Sequence, residues 1–287
     1  KQFLEPQKKK ACSFERIYFS RGTDPDIYRE RKELGRLMVP QVLKSINFDL
    51  KNTVFSYIPN TAEISFLGMM SGVEDYLISK RKEIIIDHKP SADSLEDLLT
   101  FKPRIEKLVL KDAKLRTFIA DASHRDELVA HVYDTTFEVI QKDRDSLVII
   151  DDSIVRGTTL EKSILTLLDN LNPKKIVIIS SAPQIRFPDC YGIDMSKMKD
   201  FVAFRAVLAL LIDEGKEYLL EDVLEKCLAD QNKVNEVNYV KELYAPFSYD
   251  QVSQKIGEIV KPKKMKAVLE VVFQTVEGLH KACPDHL

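Results

Sequence analysis

The stretch from Ser146 to Pro183, SLVIIDDSIVRGTTLEKSILTLLDNLNPKKIVIISSAP, limits the architecture more than any other part of the chain. Leu147, Val148, Ile149 and Ile150 are apolar without a break, lacking the alternation of a half-exposed strand, so SLVIID is expected to be a strand buried on both faces. Over TTLEKSILTLLDNL, Leu160, Ile164, Leu167, Leu168 and Leu171 fall on one helical stripe. A second unbroken run, KKIVIISSAP, starts at Lys174. Buried strand, amphipathic helix, buried strand is the pattern of an α/β fold around a mainly parallel sheet.

The flanking segments fit the same class. TVFSYIPNTAEISFLGMM, from Thr53, reads as strand, polar turn and helix. Upstream, RIYFS (Arg16 to Ser20) is strand-like, and DIYRERKELGRLMVPQVLKSI is helical with Pro40 dividing it. A helix is expected near Ser91 to Thr100, and a strand at LRTFIA, from Leu115. After about Phe201 the strand patterns give way to helical ones. Ser248 is placed to cap a helix burying Val252, Ile256 and Ile259, which Pro262 ends. Met265, Leu269, Val272, Phe273, Val276 and Leu279 then read as another helical stripe. The expected division is a linker at 1–13, an α/β domain at 14–200 and a helical C-terminal extension at 201–287.

Composition removes several classes of function. With 287 residues, 44% hydrophobic and 31% charged, the chain is long enough for a substantial core. A formal net charge of −2 supplies no cationic field for nucleic acid. Cys12, Cys190, Cys227 and Cys283 are widely spaced and form no CxxC pair, so neither a disulfide framework nor a zinc ribbon is expected. No apolar stretch reaches the roughly 18 to 20 residues of a membrane span, and KQFLEPQKKK has no signal-peptide core. A cytoplasmic location with reduced thiols follows as the expectation.

The chemistry concentrates after the first buried strand. In an open parallel sheet ligands bind beyond the carboxyl ends of the strands, which is where Asp151 and Asp152 emerge. Two adjacent carboxylates repel, and a vicinal diol or a divalent cation would offset that repulsion. The residues that follow suit an anion. Gly157 permits close backbone approach, Thr158 and Thr159 bring hydroxyls, and a helix starting there presents the positive end of its dipole. A diol or metal at the acidic half and a phosphate at the basic half describe a ribose 5-phosphate. An isolated Asp-Asp more often marks an Asx turn before a helix cap, but the thirteen residues from Leu147 to Thr159 together favour the ligand site. They are not a Walker A loop, which needs GxxxxGK followed by Ser or Thr.

LVIIDDSIVRGTT resembles the phosphoribosyl pyrophosphate motif of the type I phosphoribosyltransferases, in the form found in the amidophosphoribosyltransferase family. Three more stretches resemble that family in the same order: CSFERIYFSRG from Cys12, YIPNTAE from Tyr57, and SAPQIRFPDCYGIDMS from Ser181. With LRTFI, the matches span Cys12 to Ser196. The resemblance implies the type I phosphoribosyltransferase fold and a transferase of de novo purine synthesis, which displaces pyrophosphate from phosphoribosyl pyrophosphate with ammonia to give 5-phosphoribosylamine.

By the same resemblance, Asp151 and Asp152 take the ribose hydroxyls and Mg2+, while Ser153, Arg156, Gly157, Thr158 and Thr159 surround the 5-phosphate. Pro59, Asn60, Thr61 and Ala62 form the pyrophosphate loop, although the family commonly has a Ser contacting magnesium where this chain has Ala62. Arg116 matches the Arg of the family's RTFI strand and Arg125 a basic position in the loop beyond it. VAHVYDTT, at 129–136, replaces a strongly basic run in relatives, leaving His131 as one contact. Family members draw ammonia from an N-terminal glutaminase domain, so a chain starting at Lys1 is expected to use free ammonia. The resemblance also implies nucleotide inhibitors and a homo-oligomer, without nucleic-acid or membrane partners. An iron–sulfur cluster, held in some relatives near the positions of Cys12, Cys190 and Cys283, is not expected because HKACPDHL offers one terminal thiol. Two alternatives remain open: a salvage phosphoribosyltransferase acting on a free base, and a degenerate domain that senses phosphoribosyl pyrophosphate.

Overall fold

Two runs of consecutive apolar residues pair side by side at the centre of the computed structural model, which describes residues 12–111, 133–136, 138–188, 197–230 and 237–286. The strands are β1 (Thr53–Tyr57), β2 (Arg104–Ile105), β3 (Val109–Lys111), β4 (Tyr133–Thr135), β5 (Ser146–Asp151), β6 (Lys175–Ser180) and β7 (Val268–Phe273). Five of them form one parallel sheet in the order β2-β1-β5-β6-β7, and β3 and β4 pair antiparallel as a separate ribbon. The α/β expectation holds.

The helices are α1 (Pro25–Leu37), α2 (Val39–Ser45), α3 (Glu63–His88), α4 (Ala92–Thr100), α5 (Leu165–Asp169), α6 (Val202–Asp213), α7 (Tyr218–Ala229), α8 (Lys241–Tyr244), α9 (Tyr249–Val260) and α10 (Val276–Ala282). They cover both faces of the sheet, which is why β5 and β6 need no polar alternation. Phe55, Val148, Ile150, Val177 and Ile179 pack toward Met38, Val42, Phe66 and Met69 of the α1–α3 side. Their sequence neighbours Val54, Leu147, Ile149, Ile176 and Ile178 pack toward Leu160, Ile164, Val202, Val252 and Ile256 on the other. Helix α1 lies close on α3 because two glycines face backbone there. A Cβ at Gly35 would sit 1.8 Å from the Ser65 carbonyl oxygen, and one at Gly68 the same distance from that of Lys32.

Three local expectations are corrected. RIYFS is not a strand: Glu15–Phe19 is a π-helical turn in which Tyr18 stacks on the preceding Phe14 and Phe19 meets both rings edge-on, with Ile17 buried. The helix after β5 is irregular, π-helical over Leu160–Ile164 before α5, although Leu160, Ile164, Leu168 and Leu171 are buried as the stripe required. Strands do not end at Phe201. Residues expected as a helical stripe from Met265 to Leu279 form β7, whose Val177↔Glu270 and Ile179↔Val272 registers complete the sheet, and then α10. A short apolar run satisfies both periods, and pairing with β6 decides between them. The segment after 201 therefore adds a strand to the sheet, and α6 and α9 bury Val202, Val207, Val252 and Ile256 on its face. The Ser248 cap is present as a full capping box with Gln251. The expected strand at LRTFIA lies outside the described residues.

Candidate functional site

Parallel strands all end on the same edge, and here hydrogen bonds carry the ladder one residue past each strand. Ile58 N donates to the Ile150 carbonyl at 2.9 Å, and Ser181 N donates to that of Asp151 at 2.9 Å. The loops after β1, β5 and β6 thus leave side by side. Pro59 to Ala62, Asp151 to Thr159 and the start of the segment after Ser180 come together on this edge.

Asp151 and Asp152 sit at the bottom of this edge with little solvent. Asp152 N donates to Asp151 Oδ1 at 2.8 Å, and Ser153 Oγ to Asp152 Oδ1 at 2.9 Å. Ser181 Oγ donates to the Asp152 carbonyl at 3.2 Å, and Ser65 Oγ donates to Ser181 Oγ at 3.3 Å. Burial pushes the Asp151 carboxyl well above the ordinary carboxylate range, and the neighbouring Asp152 charge adds to the rise. Burial also raises Asp152, against hydrogen bonds from Ser153 and Thr61 and the charge of Arg31. Thr61 thereby ties the loop after β1 to the carboxylate pair. Folding alone leaves these carboxylates undercompensated, which is the condition for taking up a cation or hydroxyl donors.

The phosphate half is built from backbone. Gly157 has φ +74°, and a Cβ there would lie 2.7 Å from Val260 Cγ1, so the position demands glycine. Val202 N donates to the Val155 carbonyl at 2.9 Å, anchoring the loop to the start of α6. Glu161 N donates to the Gly157 carbonyl at 3.0 Å as the helix opens at Thr158. Thr158 and Thr159 are half-buried and Arg156 is exposed. In the neighbouring loop the Pro59–Asn60 peptide is cis. Ala62 is fully buried at the start of α3, where Phe66 N donates to its carbonyl at 2.8 Å. Arg116, Arg125 and His131 lie outside the described residues, as does Cys190.

Arg31 escaped the sequence reading. It is 4% exposed, donates from Nε to the Arg16 carbonyl at 3.0 Å and from Nη2 to that of Ser20 at 2.8 Å, and its charge reaches Asp152. Desolvation lowers its pKa from the usual arginine range. Its signal was a cation between Ile27 and Leu34 at i+4 and i+7, on the buried face of α1. Among the described residues no cluster of three or more His, Cys, Asp or Glu side chains is arranged to hold a metal, and no helix is long and apolar enough to cross a membrane.

No protein-family model matches the chain. Individual proteins do. An amidophosphoribosyltransferase of Lachancea kluyveri is 28% identical over 276 residues, covering 90% of this chain and 47% of that protein. The Escherichia coli amidophosphoribosyltransferase is 45% identical over 58 residues, 20% of this chain and 11% of the relative. In sequence, the chain is a relative of the amidophosphoribosyltransferases. The Bacillus subtilis glutamine phosphoribosylpyrophosphate amidotransferase, solved with ADP and GMP, superposes with a TM-score of 0.53 at 20% identity, covering 98% of this chain and 44% of that one. A second solved chain, described as the allosteric regulatory enzyme of purine biosynthesis, gives 0.54 at 21% identity, again over 98% of this chain and 43% of the other. The type I phosphoribosyltransferase fold seen in these amidophosphoribosyltransferases is the fold of this chain. The chain spans about half the length of the relatives it matches end to end.

Proposed function

We propose that the chain is the phosphoribosyl-transferring part of an amidophosphoribosyltransferase, displacing pyrophosphate from C1 of phosphoribosyl pyrophosphate with ammonia to form 5-phosphoribosylamine. The observation that carries the reading is the half-buried Asp151–Asp152 pair, its acidity suppressed by desolvation, beside a glycine-turned helix start at Thr158. The similarity to amidophosphoribosyltransferases over 90% of the chain supports it.

Each residue has a physical task in this reading. Asp151 and Asp152 accept hydrogen bonds from the ribose hydroxyls, and the backbone from Arg156 to Thr159, with both threonine hydroxyls, holds the 5-phosphate. Backbone N–H groups of the Pro59–Ala62 loop face the pyrophosphate, since Ala62 has no side-chain donor. Two hard carboxylates suit Mg2+, which takes one or two protein carboxylates and completes its shell with substrate oxygens and water. When bound, magnesium supplies positive charge that neutralises the leaving pyrophosphate. By the family resemblance, Arg116 and Arg125 serve the same charge. Breaking the C1–oxygen bond passes through an oxocarbenium-like transition state, so charge neutralisation, orientation and exclusion of water matter more than a protein nucleophile. Ammonia's lone pair forms the new C1–nitrogen bond as pyrophosphate leaves with the bonding pair. Purine nucleotides of the kind present in the B. subtilis complex are proposed as ligands here, with ammonia delivered by a glutaminase unit in a cytoplasmic enzyme.

Pyrophosphate release from phosphoribosyl pyrophosphate and magnesium, with ammonium salts as acceptor, tests the reading. Release that depends on ammonium and is lost in Asp151→Asn supports it. Release that needs a free purine or pyrimidine base instead supports salvage. Tight substrate binding without release under either acceptor leaves a sensing domain.

A further inference from the structure

Helix α3 opens on the carboxyl edge of the sheet, and folding leaves part of its first turn unused. Glu63 N donates to the Asn60 carbonyl at 3.2 Å, but the N–H groups of Ile64 and Ser65 donate to no described residue, and Ala62 supplies no side-chain cap. A 26-residue helix that starts this way presents free donors and the positive end of its dipole. Such an end is common by itself. Here a buried cation stands beside it. Gly35 packs on the Ser65 carbonyl and holds α1 across this turn, and Arg31 lies one helical turn earlier on α1. A Cβ at Gly22 would lie 3.3 Å from Arg31 Nη1 and 3.0 Å from Ile64 Cδ1, so this glycine keeps clear the space between the guanidinium and the first turn of α3.

The guanidinium is only partly committed. Nε and Nη2 hold the Arg16 and Ser20 carbonyls, whereas Nη1 donates to no described residue and is not sealed from solvent. Nor does a carboxylate among the described residues form an ion pair with it. Glu30 is held through both oxygens by the Arg16 side chain, and Asp152 reaches Arg31 by charge without a hydrogen bond. With 4% of its surface exposed, Arg31 is a buried charge that folding leaves short of an anion. We propose that Arg31 Nη1 donates to the diphosphate of the phosphoribosyl donor, together with the uncapped N–H groups at the start of α3. The proposal rests on the reading of the site given above and adds to it a cation from α1. Its two carbonyl bonds fix that cation before substrate arrives, so it meets the charge of the leaving group without reorganising. Arginine suits the task because two of its nitrogens hold the backbone while the third points outward, which a single ammonium cannot do.

Titration calorimetry of the 287-residue chain with inorganic pyrophosphate and, separately, ribose 5-phosphate, each with magnesium chloride, tests the contact. Arg31→Lys is expected to weaken pyrophosphate roughly tenfold or more, the size of a lost hydrogen bond to a charged group, and ribose 5-phosphate by less than about twofold. Gly22→Ala places a methyl group beside Nη1 and leaves both carbonyl bonds in place. It is expected to weaken pyrophosphate by about threefold with the circular dichroism spectrum of wild type, and it decides the matter where Arg31→Lys does not fold. Equal weakening of both ligands makes Arg31 a strap for the 15–20 turn and overturns the proposal, as does an unchanged affinity for pyrophosphate. A wild-type chain that binds neither ligand overturns the reading of the site itself, and this contact with it.

Discussion

Strand β5 has an aspartate at each end, buried at the start and half-buried at the finish, and the protein treats them differently. Asp145, just before the strand, is 0% exposed and its Oδ2 accepts from Arg104 Nη1 and from Gln141 N, both at 2.7 Å. Asp151, at the other end, has no arginine partner among the described residues: it has the Asp152 N–H, a second carboxylate, and desolvation that drives its acidity down. At the amino end folding supplies a directly bonded counter-charge, and at the carboxyl end the described residues offer only the more distant charge of Arg31. A buried charge left undercompensated is destabilising and persists where a ligand completes it.

Neutralising one carboxylate at the ligand end should cost activity and not stability. Asp151→Asn is expected to lower ammonium-dependent pyrophosphate release by roughly 100- to 1,000-fold, the size seen when one electrostatic contact to a transition state is removed. Its melting temperature at neutral pH should stay level or rise. At the other end the pattern reverses. Arg104→Ala strands Asp145 and should destabilise by about 3 kcal/mol in urea unfolding, the lower part of the range for breaking a buried pair because Arg104 keeps partial solvent contact. Activity per folded molecule should hold.

A pH series sharpens the contrast. Because the folded values of Asp151 and Asp152 are raised, these groups bind protons in the native state that the unfolded chain has released. The stability they contribute is fully present below the ordinary carboxylate value of about 4 and is lost as pH rises through the folded value. Without ligand, the melting temperature of wild type should fall relative to Asp151→Asn across that window. A constant difference between the two would remove the physical basis for the site. The smallest effect is a control remote from both ends: Ser248→Ala removes the capping box of α9 and should cost about 1 kcal/mol with activity unchanged.

Legibility in the sequence followed the range of the interactions. β5 and β6 could be read because four consecutive apolar residues admit few other burials, and Gly157 because a tight turn before a helix needs one residue type. Asp151 and Asp152 were placed at the carboxyl edge of the sheet, since a parallel strand leaves no other arrangement, and the Pro59–Ala62 loop lies on the same edge. β7 was misread because Val268 to Phe273 has helical and strand spacing at once, and only the exposed edge of β6 resolves it. RIYFS was misread because its aromatic rings find one another and no neighbouring strand is available to pair. Arg31 was visible as a cation on an apolar stripe, but its partners, the carbonyls of Arg16 and Ser20, are fifteen and eleven residues away.

By itself the sequence determined which groups could do chemistry: an adjacent carboxylate pair, a glycine and two hydroxyls, held within nine residues by covalent spacing. Tertiary structure decided what those groups experience. The dielectric around Asp151, the hydrogen bond from Thr61 to Asp152, the buried charge of Arg31 and the placement of β7 beside β6 all arise from chain segments far apart in sequence. Acidity depends on what surrounds a group after folding, and no spacing along the chain encodes that directly.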